Sequence, residues 1–277
     1  MKIPNLSLKI DEYLNSSDKK SCEAGLDSKA EKKNANVYFK DGMYSYDCKI
    51  INKRFESLEH DELKKEDVNA IVLHQTSSQT ALKTLVNYDL GNRIGHFFDL
   101  NSRMLPDVFK RMAQGIGAHF LISPNGTIYQ TARINRVCYH VGPYLNSRCL
   151  MNKTCPESEA HLYSEIKNNL KMDEKSKWKA ITDVEIQKKP NDRYPRNIDS
   201  IGIEVVGQPE KGVYQKSTLE QMKSSKFLID LLKGYFNLSC EQIFGHGQIS
   251  PHKNHTEASI LLNSLQKNCF TDMKIIR

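Results

Sequence analysis

The sequence predicts an α/β fold, a mixed central β-sheet flanked by helices. Two observations carry this. From residue 62 onward, short apolar runs such as Val68-Asn69-Ala70-Ile71-Val72-Leu73 and Ser200-Ile201-Gly202-Ile203-Glu204-Val205-Val206-Gly207 alternate with stretches of helical period, as in a layered sheet-and-helix domain. Turn residues punctuate them: Ser123-Pro124-Asn125-Gly126 separates His119-Phe120-Leu121-Ile122 from Thr127-Ile128-Tyr129-Gln130, which reads as a hairpin.

Residues 14–36 are polar and charged without a sustained period, the composition of a flexible or loosely packed segment. Val37 to Ile51 regains alternation at Tyr38, Tyr44, Tyr46 and Ile50 and suggests a hairpin added to the core. Residues 1–62 are set apart as an N-terminal extension, and 63–277 as a single domain. In that domain Val68–Leu73 is a buried strand, being short, apolar and β-branched. A helix over Ser77–Tyr88 follows, with Ala81, Leu82, Leu85 and Val86 at helical spacing.

Ser217-Thr218-Leu219-Glu220 has the form of a capping box, opening a long helix to about Phe236 with Leu219, Met222, Leu228, Leu231, Leu232 and Tyr235 on one face. Gln242–Gly245 is a short strand, and Thr256–Leu265 a closing helix. Between Pro143 and Pro195 lies a polar, lysine-rich insert with the only tryptophan, Trp178. Leu162, Ile166 and Leu170 recur every four residues there, predicting a helix over 158–172. An insert of this length is a lid, a substrate-selecting wall or a surface excursion.

The formal net charge is +7 with a pI near 8.9, which favours anionic polymers such as cell-wall glycan, nucleic acid or a membrane surface. The first thirty residues hold no apolar signal-peptide core and no window is long enough to span a bilayer. The expectation is a chain made in the cytoplasm without a standard signal peptide. Seven cysteines, at 22, 48, 138, 149, 155, 240 and 269, form no CxxC pair, and an odd count leaves one thiol unpaired. Cys149 and Cys155 bracket a loop short enough to bridge in an oxidising compartment, with buried free thiols the plainer reading.

His74 ends the first buried strand, and Gly245-His246 opens a stretch closing at His255. A strand fixes one imidazole, and a loop after a second strand brings two more. Three nitrogens with a fourth position open is the layout of a catalytic zinc site. Glu204, in mid-strand among apolar residues, requires a partner or a function, since an unpaired buried carboxylate is costly. His119 reads as a satisfied core histidine.

Five motifs then occur in a familiar order: Ile-Val-Leu-His-Gln-Thr around His74, Gly-Ala-His-Phe-Leu-Ile-Ser-Pro-Asn-Gly-Thr-Ile-Tyr-Gln at 117–130, Tyr-His-Val-Gly at 139–142, Ser-Ile-Gly-Ile-Glu at 200–204, and Gly-His at 245–246. Over roughly residues 66–268 the chain resembles the zinc-dependent N-acetylmuramoyl-L-alanine amidases of the type 2 family, which includes the peptidoglycan recognition proteins. The resemblance implies one zinc ion held by His74 and His246, Glu204 as general base, Lys253 stabilising the oxyanion, and His140 lining the substrate groove.

The family pattern breaks at the third ligand. Its members place Asp or Cys there, whereas this chain reads Lys253-Asn254-His255-Thr256-Glu257. His255 is assigned because it keeps the Lys-x-ligand spacing, with Glu257 and His252 as rivals. The implied reaction is hydrolysis of the amide between N-acetylmuramic acid and the L-alanine of the stem peptide. The implied partners are peptidoglycan or muropeptides, and for a wall-attacking effector or endolysin also secretion machinery or an immunity protein. Delivery to the periplasm or cell wall would follow synthesis. The alternatives are a non-catalytic peptidoglycan-binding module, a cytoplasmic wall-recycling amidase and, on charge alone, a nucleic-acid binder, which is not expected.

Overall fold

The computed structural model describes residues 39–45, 49–97 and 115–272; the polar stretch 14–36 and the residues Cys22, Tyr38, Tyr46 and Cys48 lie outside them. In chain order come β1 (Phe39–Lys40), β2 (Met43–Tyr44), β3 (Ile50–Asn52), β4 (Ala70–Ser77), α1 (Ala81–Phe97), β5 (Phe120–Ile122), β6 (Ile128–Gln130), α2 (Arg148–Asn152), α3 (Glu157–Asn168), α4 (Glu174–Glu185), β7 (Ser200–Gly207), β8 (Pro209–Glu210), β9 (Val213–Tyr214), α5 (Leu219–Phe236), β10 (Ile243–Gly245), α6 (His246–Ile249) and α7 (Ser259–Asp272). No described helix is long and apolar enough to cross a membrane.

Six strands form one sheet in the order β10-β4-β7-β5-β6-β3. β10, β4, β7 and β5 run parallel, β6 returns antiparallel to β5, and β3 lies parallel to β6. The sheet is mixed and flanked by helices, as the sequence predicts. β4 and β7 are central and covered on both faces, so their sequences are continuous apolar runs without alternation.

The two faces have different work. Ile71, Leu73, Ile201, Ile203 and Val205 point to one face and pack against Leu228 and Leu232 of α5 and Leu261 and Leu262 of α7. On the other face Ala70, Val72 and Phe244 meet Val141, Leu145 and Tyr194, while Leu121 and Val206 meet Ala81, Leu85 and Tyr88. His74 and Glu204 share the parity of this second face. Polar side chains there stand beside two apolar clusters.

Several boundaries differ from expectation for identifiable reasons. β4 runs on to Ser77 because the ladder with β7 continues to Ser77↔Gly207, and α1 starts at Ala81, where the Thr80 hydroxyl accepts from the Lys83 amide at 3.4 Å. The α5 cap falls one residue late: Thr218 and Gln221 exchange the capping hydrogen bonds, at 3.0 and 3.1 Å. Gln221 then donates to the Val206 carbonyl at 2.8 Å, tying the helix to β7. Phe39 and Tyr44 join the main core and β3 extends the sheet, so folded structure reaches well before residue 62.

The insert has its own packing. The helix predicted over 158–172 ends at Asn168, leaving Leu170 98% exposed, and a second helix, α4, carries Trp178. Asp173 caps α4 by accepting from the Ser176 amide at 2.6 Å. Between the two helices the Tyr163 hydroxyl donates to the fully buried Glu185 at 2.5 Å, and the Lys188 ammonium donates to both Glu185 and Glu159. Cys149 and Cys155 form a disulfide, where free thiols were the plainer expectation; Cys138 is a buried free thiol.

The insert returns to the sheet through a buried ion pair, Arg193 to Asp199 at 2.6 Å. Asp199 also accepts from the Arg196 amide at 2.6 Å, and its carbonyl takes the Asn69 amide at 2.9 Å, just before β4. Removing one partner strands a buried charge. Arg193→Met is expected to destabilise the fold by about 3–5 kcal/mol, and Arg193→Met/Asp199→Leu by less than either single change, as measured by urea unfolding.

Candidate active site and metal centre

Strand register brings the site together. β10 pairs with β4 so that Gly245 stands against Leu73, and β4 pairs with β7 so that His74 stands against Glu204. His246, one residue past β10, therefore arrives beside His74, and Glu204 flanks it on the other side. His246 follows the carboxyl end of β10, while His74 and Glu204 lie in the carboxyl-terminal halves of β4 and β7.

The Nδ1 atoms of His74 and His246 lie 2.9 Å apart. Glu257 completes the group, its Oε1 3.0 Å from His246 Nδ1 and 3.7 Å from His74 Nδ1. His255, expected here, is instead exposed. The reason is a tight turn: the Glu257 amide donates to the Asn254 carbonyl at 2.9 Å, and the Thr256 amide to the Asn254 side chain at 2.9 Å. The chain thereby turns His255 outward and brings Glu257 back toward His246. Gln75 of β4 fixes the return by accepting from the Ala258 amide at 3.0 Å. Gly247 lets the loop close, since a Cβ there would stand 2.3 Å from the Asn254 carbonyl.

His140 is corrected as well. It does not line a groove; it is buried behind His74, with its Nδ1 3.0 Å from His74 Nε2 and its Nε2 3.4 Å from the Ser200 carbonyl. A carbonyl only accepts, so His140 carries its proton on Nε2 and accepts at Nδ1 from His74 Nε2–H. His74 Nδ1 is then a bare lone pair aimed at His246 and Glu257. Gly202 makes room, since a Cβ there would meet the His140 ring at 2.7 Å. His119 is the satisfied core histidine expected: its Nδ1 accepts from the Gly202 amide at 3.0 Å and its Nε2 donates to the Arg136 carbonyl at 2.8 Å.

This donor set fits a divalent cation. Two imidazole nitrogens and a carboxylate oxygen converge, at least two of them lone pairs, and all lie within 4.8 Å of one another. Tetrahedral zinc at its usual bond lengths sets its ligand atoms about 3.3 Å apart, within the observed spread. Buried lone pairs so close repel without a proton or a metal between them.

Electrostatics agree. Burial, with His246 close beside it, pushes His74 down to about 4, so its imidazole stays neutral in ordinary buffers. Burial works to raise Glu257, but the hydrogen bond from His246 and the nearby His74 ring outweigh it and hold the carboxylate ionised. Glu204 goes the other way: burial and the nearby Glu257 raise it, against a hydrogen bond from Tyr88 and the positive charge of Lys253.

Tyr88 is a site residue that sequence reasoning missed. Its hydroxyl donates to Glu204 Oε2 at 2.6 Å, and its ring fills the space a Cβ on Gly117 would take, at 2.6 Å. Nothing in the pattern of α1 marks it out from a core tyrosine. Glu257 carried a signal, being the only carboxylate between Glu241 and Asp272. Lys253 is exposed on the loop, its charge bearing on both His74 and Glu204. Glu204 and Tyr88 open into a cleft of about 420 Å³ that includes the hydroxyl groups of Thr76, Ser77, Ser78 and Thr84.

No curated protein matches this sequence. Among solved structures, a selenomethionine derivative of AmpD is 16% identical, with 82% of this chain and 97% of that one covered at a TM-score of 0.46. The endolysin amidase LysCS from Clostridium intestinale is 17% identical over 74% of this chain and 88% of that one, at 0.36. The peptidoglycan recognition proteins LCa and LCx, solved as an ectodomain complex with tracheal cytotoxin, give a match of 15% identity over 78% and 95%, at 0.39. The model of the N-acetylmuramoyl-L-alanine amidase family matches residues 64–258, a stretch that holds His74, Glu204, His246, Lys253 and Glu257, and the chain therefore belongs to that family.

Proposed function

We propose that this protein is a zinc-dependent peptidoglycan amidase that hydrolyses the bond between N-acetylmuramic acid and the L-alanine of the stem peptide. The observation that carries the reading is the convergence of His74, His246 and Glu257 beside Glu204, within a chain of the amidase family. His74, His246 and Glu257 would hold the ion, which would supply Lewis acidity at the scissile carbonyl.

The chain's own residues supply the rest. Glu204, held at one oxygen by Tyr88, takes the proton of the attacking water and returns it to the departing alanine amine, so no net proton is consumed. The positive charge of Lys253, which already bears on His74 and Glu204, would stabilise the oxygen that turns negative in the tetrahedral intermediate. His140 and the Ser200 carbonyl fix the His74 ring and its tautomer. One carboxylate among the ligands leaves less positive charge on the site than the three histidines first expected, so more of the burden falls on Glu204 and Lys253.

A wall-lytic role, as an endolysin or a delivered antibacterial effector, suits the net charge of +7 and the wall of extra helices beside the site. Mass spectrometry of purified sacculi after digestion tests bond and substrate together: release of stem peptides with a free alanine amine is expected, and intact muramoyl-peptides would overturn the reading.

Metal content separates the ligand candidates. Glu257→Ala is expected to lose stoichiometric zinc and His255→Ala to keep it, while His140→Ala weakens zinc by about 10–100-fold, all by equilibrium dialysis with elemental analysis. Glu204→Gln should retain the ion and lose about 100- to 10,000-fold in kcat.

The pH profile tests Glu204 directly. Proton abstraction needs its carboxylate form and its pKa is raised, so kcat should climb with pH through a midpoint above the ordinary glutamate value. Tyr88→Phe removes a hydrogen bond that favours the ionised form, so the acid limb should move to higher pH. An unmoved limb in Tyr88→Phe would mean that Glu204 is not the group titrating.

A further inference from the structure

Away from His74, His246 and Glu257, one further group of metal-ligating side chains converges among the described residues, and it lies in the insert. Cys149 of α2, Cys155 just before α3 and Glu159 in the first turn of α3 each offer one ligand atom, and these atoms all lie within 4.8 Å of one another. Cys149 Sγ stands 3.3 Å from Glu159 Oε1. A cavity of about 500 Å³ opens on the group, its wall including Arg148, Asn152, Thr154 and Lys188.

The backbone shapes this segment as much as the disulfide does. The Ser147 hydroxyl caps α2 by accepting from the Leu150 amide at 3.3 Å. At the other end the Lys153 amide donates to the Leu150 carbonyl at 3.2 Å and the Thr154 amide to the Cys149 carbonyl at 2.9 Å. Lys153 takes the left-handed conformation, at φ 57°, that turns the chain back toward α3. With the S–S bond broken, this turn still presents both thiols to Glu159, and rotation of the two side chains parts the sulfurs. Tetrahedral zinc sets thiolate and carboxylate donors about 3.6–3.8 Å apart, close to the spacing already present between Cys149 and Glu159.

The surrounding charges suit a cation held by thiolates. Lys188 Nζ lies 4.0 Å from Cys149 Sγ, and a neighbouring ammonium favours the thiolate, the form that binds metal. Glu159 takes the Tyr163 hydroxyl and Lys188 on Oε1, while its Oε2 has no hydrogen-bond donor among the described residues. With zinc in place, two thiolates, Glu159 and the fully buried Glu185 are matched by the ion, Lys188 and Arg148. Thiolate ligands select zinc over magnesium or calcium.

We propose that Cys149, Cys155 and Glu159 form a second metal site, a zinc site of the reduced chain that the disulfide closes on oxidation. A dithiol opens it by passing two electrons and two protons to the S–S bond, which breaks to two thiols while the dithiol closes its own disulfide. Zinc then binds both sulfurs, their protons leaving to solvent. Glu159 Oε2 is the third ligand, and water from the cavity takes the fourth place. The link between α2 and α3 is thereby kept in either condition, covalent when oxidised and metal-held when reduced. No residue is shared with the proposed amidase centre, so this inference stands or falls apart from that reading.

Cobalt(II), which takes the tetrahedral thiolate sites of zinc, reports this site by thiolate-to-metal charge-transfer absorption in the near ultraviolet. The His74, His246 and Glu257 group contains no sulfur and is silent there. The full chain is reduced with a water-soluble phosphine and titrated with cobalt chloride. The reduced wild type is expected to develop the band to a stoichiometric end point, and the oxidised wild type to show none. Those two samples differ in no residue, so the comparison holds however the variants fold. Cys149→Ser and Cys155→Ser should each lose the band, and His74→Ala should keep it. Glu159→Gln should bind cobalt more weakly by about tenfold or more, at least the effect of losing a group that supports a ligand. The proposal is overturned by a band that is missing from the reduced wild type, equal in the oxidised chain or undiminished in both serine variants, and equally by a Glu159→Gln affinity matching the wild type.

Discussion

Backbone hydrogen bonds between β4 and its two parallel neighbours set Gly245 against Leu73 and His74 against Glu204, and the positions of His74, His246 and Glu204 follow from that register. Side chains alternate along a strand, so a slip of one residue would turn His74 into the apolar layer beneath α5 and α7 and bring Leu73 to the site. The runs on either side prevent the slip. Ile71, Leu73, Ile201 and Ile203 fill one face, and Ala70, Val72 and Phe244 the other. Packing on both faces thus specifies the chemistry, although none of these apolar residues takes part in it.

Burying polar groups at that edge is costly, and the cost explains the site's composition. His74 and His140 lose their protonated forms through burial, which leaves neutral imidazoles in a chain of hydrogen bonds ending at the Ser200 carbonyl. Two carboxylates share the same region, and they are driven apart. The hydrogen bond from His246 holds Glu257 ionised, and its negative charge adds to burial in raising Glu204. Two carboxylates with pKa values pushed in opposite directions suit two tasks, a permanent anion as metal ligand and a proton acceptor as base. Tyr88 and Lys253 limit the rise at Glu204.

The sequence was informative where strands fix side chains and uninformative where loops do. His74, His246 and Glu204 were legible because each sits in or directly after an apolar strand whose direction follows from its composition. The third ligand depends on the turn at Asn254–Glu257, whose hydrogen bonds spacing cannot reveal, and the Lys-x-ligand rule selected His255 in place of Glu257. His140 was placed in the right neighbourhood with the wrong contact, since a motif gives proximity and not the direction of a ring. Tyr88 was invisible because its ring packs as any core aromatic would, against Phe55 with ring centres 5.7 Å apart, and only its hydroxyl reaches Glu204. The helix α4 was missed because its twelve residues are mostly polar, with only Ile181, Thr182 and Glu185 buried.

The insert is best understood through what it buries. Fully burying Glu185 is unfavourable unless its charge is matched, and Lys188 and the Tyr163 hydroxyl match it while joining α3 to α4. A loose excursion has no reason to contain such a group. From the same face of α4, two turns before Glu185, Trp178 reaches Tyr144 and His252, with ring centres 6.0 and 6.1 Å away, and Thr182 accepts from the Leu145 amide at 2.9 Å. The wall thereby contacts both the segment that carries His140 and the loop that carries Lys253 and Glu257. Because those segments also hold His74 and Glu257 in place, the seating of α4 and the geometry of the site are set by the same contacts.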